Sequence, residues 1–345
     1  MNSLASNKKN PISLAIIYLI LFVVLVVVSI IAACSGHYSL SIKECLGLIF
    51  LKPFGFEGSW SDLDVSVVVG LRLPRILGGI LVGACLAMSG SSYQSIFQNP
   101  LVSPDILGVS SGACVGAALA ILMHLPNTMI MLFSFVCGIL TVAATLAIPK
   151  MLKSDSNIML VLSGIVVGGI TGSAMGIIKY VADPQSELPQ ITYWTMGSLG
   201  SVTFEYLLYG IVPIIICTVV LIRMSWWIDI ISMGETDAKT LGANVSRIRL
   251  ISIVCSTMLT ALSVCLCGTI GWIGLVVPHF ARMFVGPSNT KLMPTAALLG
   301  AIFLVVVDTL ARSVAPVEVP LGIITGLVGA PFYAWLLYRQ RMRLH

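Results

Sequence analysis

Uncharged apolar stretches about as long as a bilayer is thick recur from one end of this sequence to the other. The first, residues 12–33, runs 22 residues without an Asp, Glu, Lys or Arg, and about 20 such residues in a helix cross the hydrocarbon core. The composition agrees, with 57% hydrophobic and only 10% charged residues in 345, where a soluble domain carries roughly 25% charge. Such a chain cannot cover itself with a water-compatible surface. A soluble enzyme, a nucleic-acid-binding domain and a disordered chain are excluded, and an all-α polytopic membrane protein is left.

Ten helices are predicted at roughly 12–34, 71–97, 106–123, 129–148, 158–181, 206–222, 249–267, 270–285, 293–311 and 319–338. An even number puts both termini on one side. The outer segments and helix ends then hold Lys43, Lys52, Arg72, Arg75, Lys179 and Arg312, while the other 13 of the 19 basic residues, Lys8, Lys9 and Arg343 among them, fall inside. The positive-inside rule therefore predicts cytoplasmic termini in a cell (inner or plasma) membrane. Ile31-Ala32-Ala33-Cys34 resembles a lipoprotein processing box, but the apolar stretch is longer than a signal-peptide core, so a retained first span is expected. The outer stretches 35–70 and 182–205 are too short for independent domains, and residues 1–345 read as one transmembrane domain. An echo, Leu107-Gly108-x-x-Ser111-Gly112 against Leu321-Gly322-x-x-Thr325-Gly326, falls on segments running in opposite directions and reads as coincidence.

Glycines at four-residue spacing mark where helices approach. Gly164, Gly168, Gly172 and Gly176 form one run, Gly108, Gly112 and Gly116 another, and Gly79 with Gly83 and Gly322 with Gly326 and Ala330 repeat the device. In lipid such ridges permit close van der Waals packing. Plain packing within the chain explains them; alternatively the fifth and tenth helices border a path whose width changes with small helix shifts.

Against so apolar a background the polar exceptions are informative. In Leu71-Arg72-Leu73-Pro74-Arg75 the arginines lie outside, against the positive-inside bias. They are interfacial anchors or a cationic patch for an acidic extracytoplasmic partner, since guanidinium forks bind carboxylates bidentately. Arg312 closes the ninth helix on the same side, with Asp308 one turn earlier placed to pair with it. Inside, the loop of about 225–248 contains Gly234-Glu235-Thr236-Asp237-Ala238-Lys239-Thr240-Leu241-Gly242, which reads as an ordinary connection or as a short surface helix for a cytoplasmic partner. A third feature, Tyr93-Gln94-Ser95-Ile96-Phe97-Gln98-Asn99-Pro100-Leu101, ends the second helix at a proline turn, or lines an aqueous vestibule.

No catalytic residue and no metal site emerge. The sequence 234–242 lacks the glycine before its lysine that a phosphate loop needs, and Ala238 stands there. Gly108-Val109-Ser110-Ser111-Gly112 matches a nucleophile elbow with His279 as a conceivable base, but an elbow requires a strand-to-helix turn. The nine cysteines sit in apolar runs as small hydrophobes, and Cys265-x-Cys267 has neither metal spacing nor a partner set.

Taken together, Leu71 to Arg75, Gln98-Asn99-Pro100-Leu101 with Leu107 to Gly112, Gly234 to Gly242, Gly271-Trp272-Ile273-Gly274-Leu275-Val276-Val277-Pro278-His279, and Pro320-Leu321-Gly322 through Gly329-Ala330-Pro331 resemble the FecCD/BtuC-like permeases of type II ABC importers for iron-siderophores, haem and cobalamin. The likeness covers nearly the whole chain after the first helix. It implies a type II ABC importer permease fold of about ten transmembrane helices, assembled as a homodimer in membrane lipid with a path along the two-fold axis. Two separate cytoplasmic ATP-binding subunits, carrying ATP and Mg, and an extracytoplasmic substrate-binding protein are the implied partners; no cofactor on this chain and no nucleic acid are. It assigns Arg72, Arg75 and Arg312 to binding-protein docking and Asn99 and Leu101 to the cytoplasmic gate. Gly234, Glu235, Ala238, Leu241 and Gly242 fall in the segment that couples to the ATPase. A ferric siderophore or haem is the expected cargo, with cobalamin or molybdate as alternatives. An ion-coupled secondary transporter, which needs a buried charge such as Asp308, is the rival from another class.

Overall fold

The computed structural model describes residues 11–341 except positions 37, 39, 53–55, 57, 59, 154–155 and 315–316. The basic residues Lys8, Lys9 and Arg343 used for orientation lie outside the described residues. Among the described residues every regular element is helical. In chain order these are α1 (Pro11–Cys34), α2 (Ile42–Leu46), α3 (Asp62–Val65), α4 (Leu73–Ile96), α5 (Val109–Leu122), α6 (Asn127–Met151), α7 (Asn157–Val181), α8 (Glu187–Met196), α9 (Phe204–Ser232), α10 (Glu235–Thr240), α11 (Val245–Cys267), α12 (Ile273–Val285), α13 (Asn289–Ala311) and α14 (Leu321–Arg341). Each of the ten predicted helices has its counterpart. Seven helices are long and apolar enough to cross a membrane; α5, α12 and the apolar part of α14 are shorter.

Three boundaries differ from expectation for identifiable reasons. The second span begins at Asp62 rather than near 71, because Ser61 and Asp64 form a reciprocal capping box: Ser61 Oγ accepts the Asp64 N–H at 3.2 Å and the Asp64 carboxylate accepts the Ser61 N–H at 2.8 Å. Pro74 therefore falls inside a continuous helix from Asp62 to Ile96. The backbone winds into wide π-type turns over Ser66–Arg72 just before it, which accommodates a residue that clashes with the preceding turn and cannot donate. The sixth span runs to Ser232 rather than 222, since Trp226, Trp227, Ile228, Ile230 and Ile231 continue the apolar pattern. The inner segment of about 225–248 thus shrinks to the stretch around α10. Gly108 is not in a helix: it takes φ +83° between a 3₁₀ turn at Pro104–Leu107 and the start of α5, whereas Gly322 is helical. The two halves of the echo therefore have unlike backbones.

The core is built on α4 and α11. In the most apolar window of α11, 78% of residues are buried, against 0% for α1, which lies on the outside of the bundle. Glycine makes the crossings close. A Cβ at Gly83 would stand 2.2 Å from the Gly300 carbonyl oxygen in α13, and one at Gly90 would stand 1.9 Å from that of Gly274 in α12. Gly112 and Gly116 likewise admit Thr141 and the Phe133 carbonyl of α6. Buried hydroxyls bridge the two central helices: Ser89 Oγ donates to the Ser256 carbonyl at 3.0 Å, and Tyr93 Oη meets Thr257 Oγ1 at 2.8 Å. In lipid, where apolar burial gives little drive, such hydrogen bonds and close contacts hold helices together.

Candidate functional site

The two ends of α4 carry the polar constellations. Its 24 residues separate them by about 36 Å at 1.5 Å per residue.

At the first end the structure brings together Arg72, Arg75 and Arg312, which are far apart in sequence. None is more than 9% exposed. Two of them cap a helix. The last carbonyls of α1 have no intrahelical partner, and Arg72 Nη1 donates to the Ala33 carbonyl at 2.7 Å while Arg312 Nη2 donates to that of Ala32. The same guanidiniums reach the following segment, Arg72 to the Tyr38 carbonyl at 2.5 Å and Arg312 to that of Ser35 at 2.8 Å. A cation at a helix C-terminus also matches the macrodipole. Arg75 is held differently: its Nε–H is shared between the two Asp308 carboxylate oxygens at 2.8 and 3.0 Å, and its Nη1 donates to Glu318 at 2.6 Å.

The pairing expected between Asp308 and Arg312 is thus secondary, at 3.7 Å, because Arg75 projects from α4 straight onto the buried carboxylate. Three arginines against Asp308 and Glu318 leave one net positive charge. They line a crevice of about 400 Å³ with Tyr38 and Leu71. Glu318, whose side chain is 48% exposed, was missed by sequence reasoning; its signal is a lone acid in the short segment between Arg312 and Pro320.

At the other end α10 is a single short helix between two glycines with positive φ, Gly234 at +133° and Gly242 at +80°. Ala238 is fully buried and holds it against the body, and Glu235 pairs with Arg249 of α11. Thr236, Asp237, Lys239, Thr240 and Gly242 are exposed, and Leu241 is 62% exposed. The five residues of this segment therefore divide: Glu235 and Ala238 attach it, Gly234 and Gly242 let the backbone turn, and Leu241 faces outward.

Beside it, the tail of α4 also divides. Tyr93, Gln94 and Ser95 are buried, whereas Gln98, Asn99, Pro100 and Leu101 are exposed. Asn99 Oδ1 accepts the Leu101 N–H at 2.9 Å, which folds the turn on itself, and Gln98 Nε2 donates to the Ile231 carbonyl of α9 at 2.9 Å. Sequence reasoning also missed Asp229. Its carboxylate accepts the Asn289 N–H at 2.6 Å and the Ser288 hydroxyl at 2.8 Å, while Asn289 Oδ1 accepts from Ser95 at 2.9 Å. One acid from α9 thereby caps α13 and links both to α4; a charged residue in the last turn of a largely apolar helix is its signal.

Among the glycine positions Gly164 packs on the Ile106 carbonyl and Gly322 on that of Met196, and Gly326 faces the Trp272 indole. A Cβ at Gly168, Gly172 or Gly176 would meet nothing within 4 Å, so this face of α7 is open in the single chain. Ser110 of the elbow-like sequence donates to Asp105, and the His279 ring lies 6.4 Å from that of Phe332. Among the described residues no three His, Cys, Asp or Glu side chains converge as metal ligands would.

A profile described as the FecCD transport family matches residues 21–339. The molybdate import system permease protein MolB of Haemophilus influenzae is 35% identical over 321 residues, 93% of this chain and 95% of that one. A probable iron chelatin transport system permease of Helicobacter pylori is 37% identical over 92% of this chain and 96% of its own length. A solved metal-chelate type ABC transporter in an inward-facing conformation superposes with a TM-score of 0.84 at 35% identity, covering 94% of this chain and 99% of that one.

Proposed function

The chain belongs to the FecCD transport family, and from that premise we propose that it is the membrane permease subunit of a binding-protein-dependent ABC importer, moving a metal chelate into the cytoplasm while separate subunits hydrolyse ATP. It is a multi-pass membrane protein with the all-α fold of such permeases. The observation that carries the reading is the polarity of α4, with a basic crevice at one end and a protruding helix at the other. The crevice of Arg72, Arg75 and Arg312 is the docking surface for acidic residues of an extracytoplasmic substrate-binding protein. Complementary charge steers and registers such a complex, and Glu318 tempers the attraction.

At the cytoplasmic end α10 couples to the ATPase through Leu241 and Gly242, with ATP and Mg held on that partner. Asn99 and Leu101, in the adjoining turn, form the gate. Both termini are cytoplasmic in a cell (inner or plasma) membrane, as the distribution of basic residues favours. Two copies form a homodimer whose path runs beside the open glycine face of α7. Ferric siderophore or haem is the cargo favoured by the sequence resemblance, and the likeness to MolB makes molybdate the second reading. Ion-coupled transport is disfavoured by the arginine that already neutralises Asp308.

The test is uptake by proteoliposomes holding this chain, its cognate ATPase and its binding protein, with ferric siderophore, haem, cobalamin and molybdate offered in turn. ATP-dependent uptake that stops when the ATPase is inactivated is expected. Uptake driven by an ion gradient without ATP would overturn the reading, and the ligand retained by the isolated binding protein names the cargo.

A further inference from the structure

The arginine crevice rests on a stretch of chain that carries two cysteines. Cys34 ends α1 and Cys45 lies in α2, whose backbone comes within 8 Å of α1, Cα to Cα. Cys45 is completely buried in a small apolar cluster with Leu48 and Val68, and Cys34, half-buried, packs on that same cluster. The Cys45 Sγ lies 3.6 Å from the Ala33 carbonyl oxygen, one peptide bond from Cys34. Burial, with the Cys34 thiol as its neighbour, pushes the Cys45 thiol up to about 11.

We propose that Cys34 and Cys45 are joined by a disulfide in the mature protein, a staple across the segment whose carbonyls hold Arg72 and Arg312. The inference rests on the orientation given under Proposed function, which puts residues 35–70 on the outer, oxidising side of the membrane, where disulfides form and persist. Cys34 is the accessible thiol. Its thiolate attacks the disulfide of an extracytoplasmic thiol oxidant, forming a mixed disulfide and releasing one oxidant thiolate. Cys45 then loses its proton and attacks the Cys34 sulfur. The S–S bond between them forms, and the oxidant departs as a dithiol with the two electrons and two protons. The raised Cys45 thiol makes the second step slow at neutral pH, and its burial then shields the finished bond from reductants.

The consequence lies in the cradle. The closed segment contains Ser35 and Tyr38, whose carbonyls receive Arg312 and Arg72, and Ala32 and Ala33 adjoin it on α1. Oxidation would fix these acceptors, and through them the angle at which both guanidiniums line the crevice.

The experiment is non-reducing peptide mapping of the full-length protein, taken from native membranes after alkylation of all free thiols. A linked peptide pair containing Cys34 and Cys45 is expected. It should disappear on reduction, and Cys45 should become alkylatable in C34S. Alongside, intact cells are treated with a non-permeant reductant and then a charged, membrane-impermeant maleimide. Labelling of Cys34 from outside, with both thiols already free before reduction and still unlinked after treatment with copper phenanthroline, would overturn the disulfide and leave the orientation standing. Labelling of Cys34 only after the membrane is permeabilised would overturn both. An acylated Cys34 would also overturn the disulfide.

Discussion

At the scale of single residues, the chemistry at the head of α4 turns on one buried carboxylate. Asp308 is 2% exposed and its charge is tolerated because Arg75 grips both oxygens. Removing one partner of a buried pair leaves an uncompensated charge and costs about 3–5 kcal/mol. Arg75→Ala is therefore expected to lower the thermal stability of the solubilised protein sharply, with Asp308→Asn in the same chain recovering much of the loss; if the double variant melts no higher than the single one, the pair is not the cause. Glu318 behaves otherwise, since its carboxylate is half exposed and screened by salt. Glu318→Gln should leave stability near wild type and speed association of the binding protein at low ionic strength, an advantage that fades in high salt. Association rates indifferent to the substitution at every salt concentration would remove the crevice from the docking interface. Little of this pairing was legible in the sequence. The arginines stood out because they broke the charge bias, but the acids that hold Arg75 lie 233 and 243 positions away, beyond any local pattern. The i,i+4 spacing pointed instead to Arg312, the weaker contact.

At the scale of elements, legibility improves because a lipid solvent imposes one demand on every span. Hydropathy alone located the ten helices, and the failures occurred where a local device overrode it. The capping box at Ser61 started a helix in polar sequence, and π-type turns carried that helix through Pro74. The tryptophans after Arg223 prolonged α9 into what reads as loop. Glycine spacing, likewise, marked the close crossings without saying which faces are packed. Here the structure separates two classes. Gly90→Ala would force a Cβ to 1.9 Å from the Gly274 carbonyl, so α4 and α12 must part. A loss of folded protein is expected, read as aggregation in size-exclusion chromatography, and a normal monodisperse peak would show that this crossing relaxes. The α10 helix makes the opposite case. Leu241 faces outward on a helix already anchored by Ala238 and Glu235, so Leu241→Asp should leave the protein's melting temperature unchanged while its ATPase no longer co-purifies. Retention of a full complement of ATPase with normal transport would take α10 out of the coupling role.

For the whole molecule, the open face of α7 is where the single chain stops explaining itself. Gly164, at the start of the run, has a neighbour to pack against, but Gly168, Gly172 and Gly176 continue the same spacing where an added Cβ would meet nothing within 4 Å. A glycine in a helix interior is destabilising by roughly 0.5–1 kcal/mol relative to Ala. Repeating it on an unoccupied face lowers the stability of the protomer without improving its packing. The compensation has to come from outside the protomer, either from a second copy approaching closely or from a passage that bulky side chains would narrow. These alternatives separate experimentally. Gly172→Leu with Gly176→Leu should leave the protomer folded, with a melting temperature equal to or above wild type, because the added Cβ atoms enter open space and leucine raises helix propensity. Transport should fall at least tenfold. If light scattering reports monomers, the glycines serve the contact between copies. If it reports an intact dimer whose partner ATPase still binds and hydrolyses ATP while no cargo moves, they line the passage. Normal uptake in the double variant would rule out both, leaving the run without a role in transport.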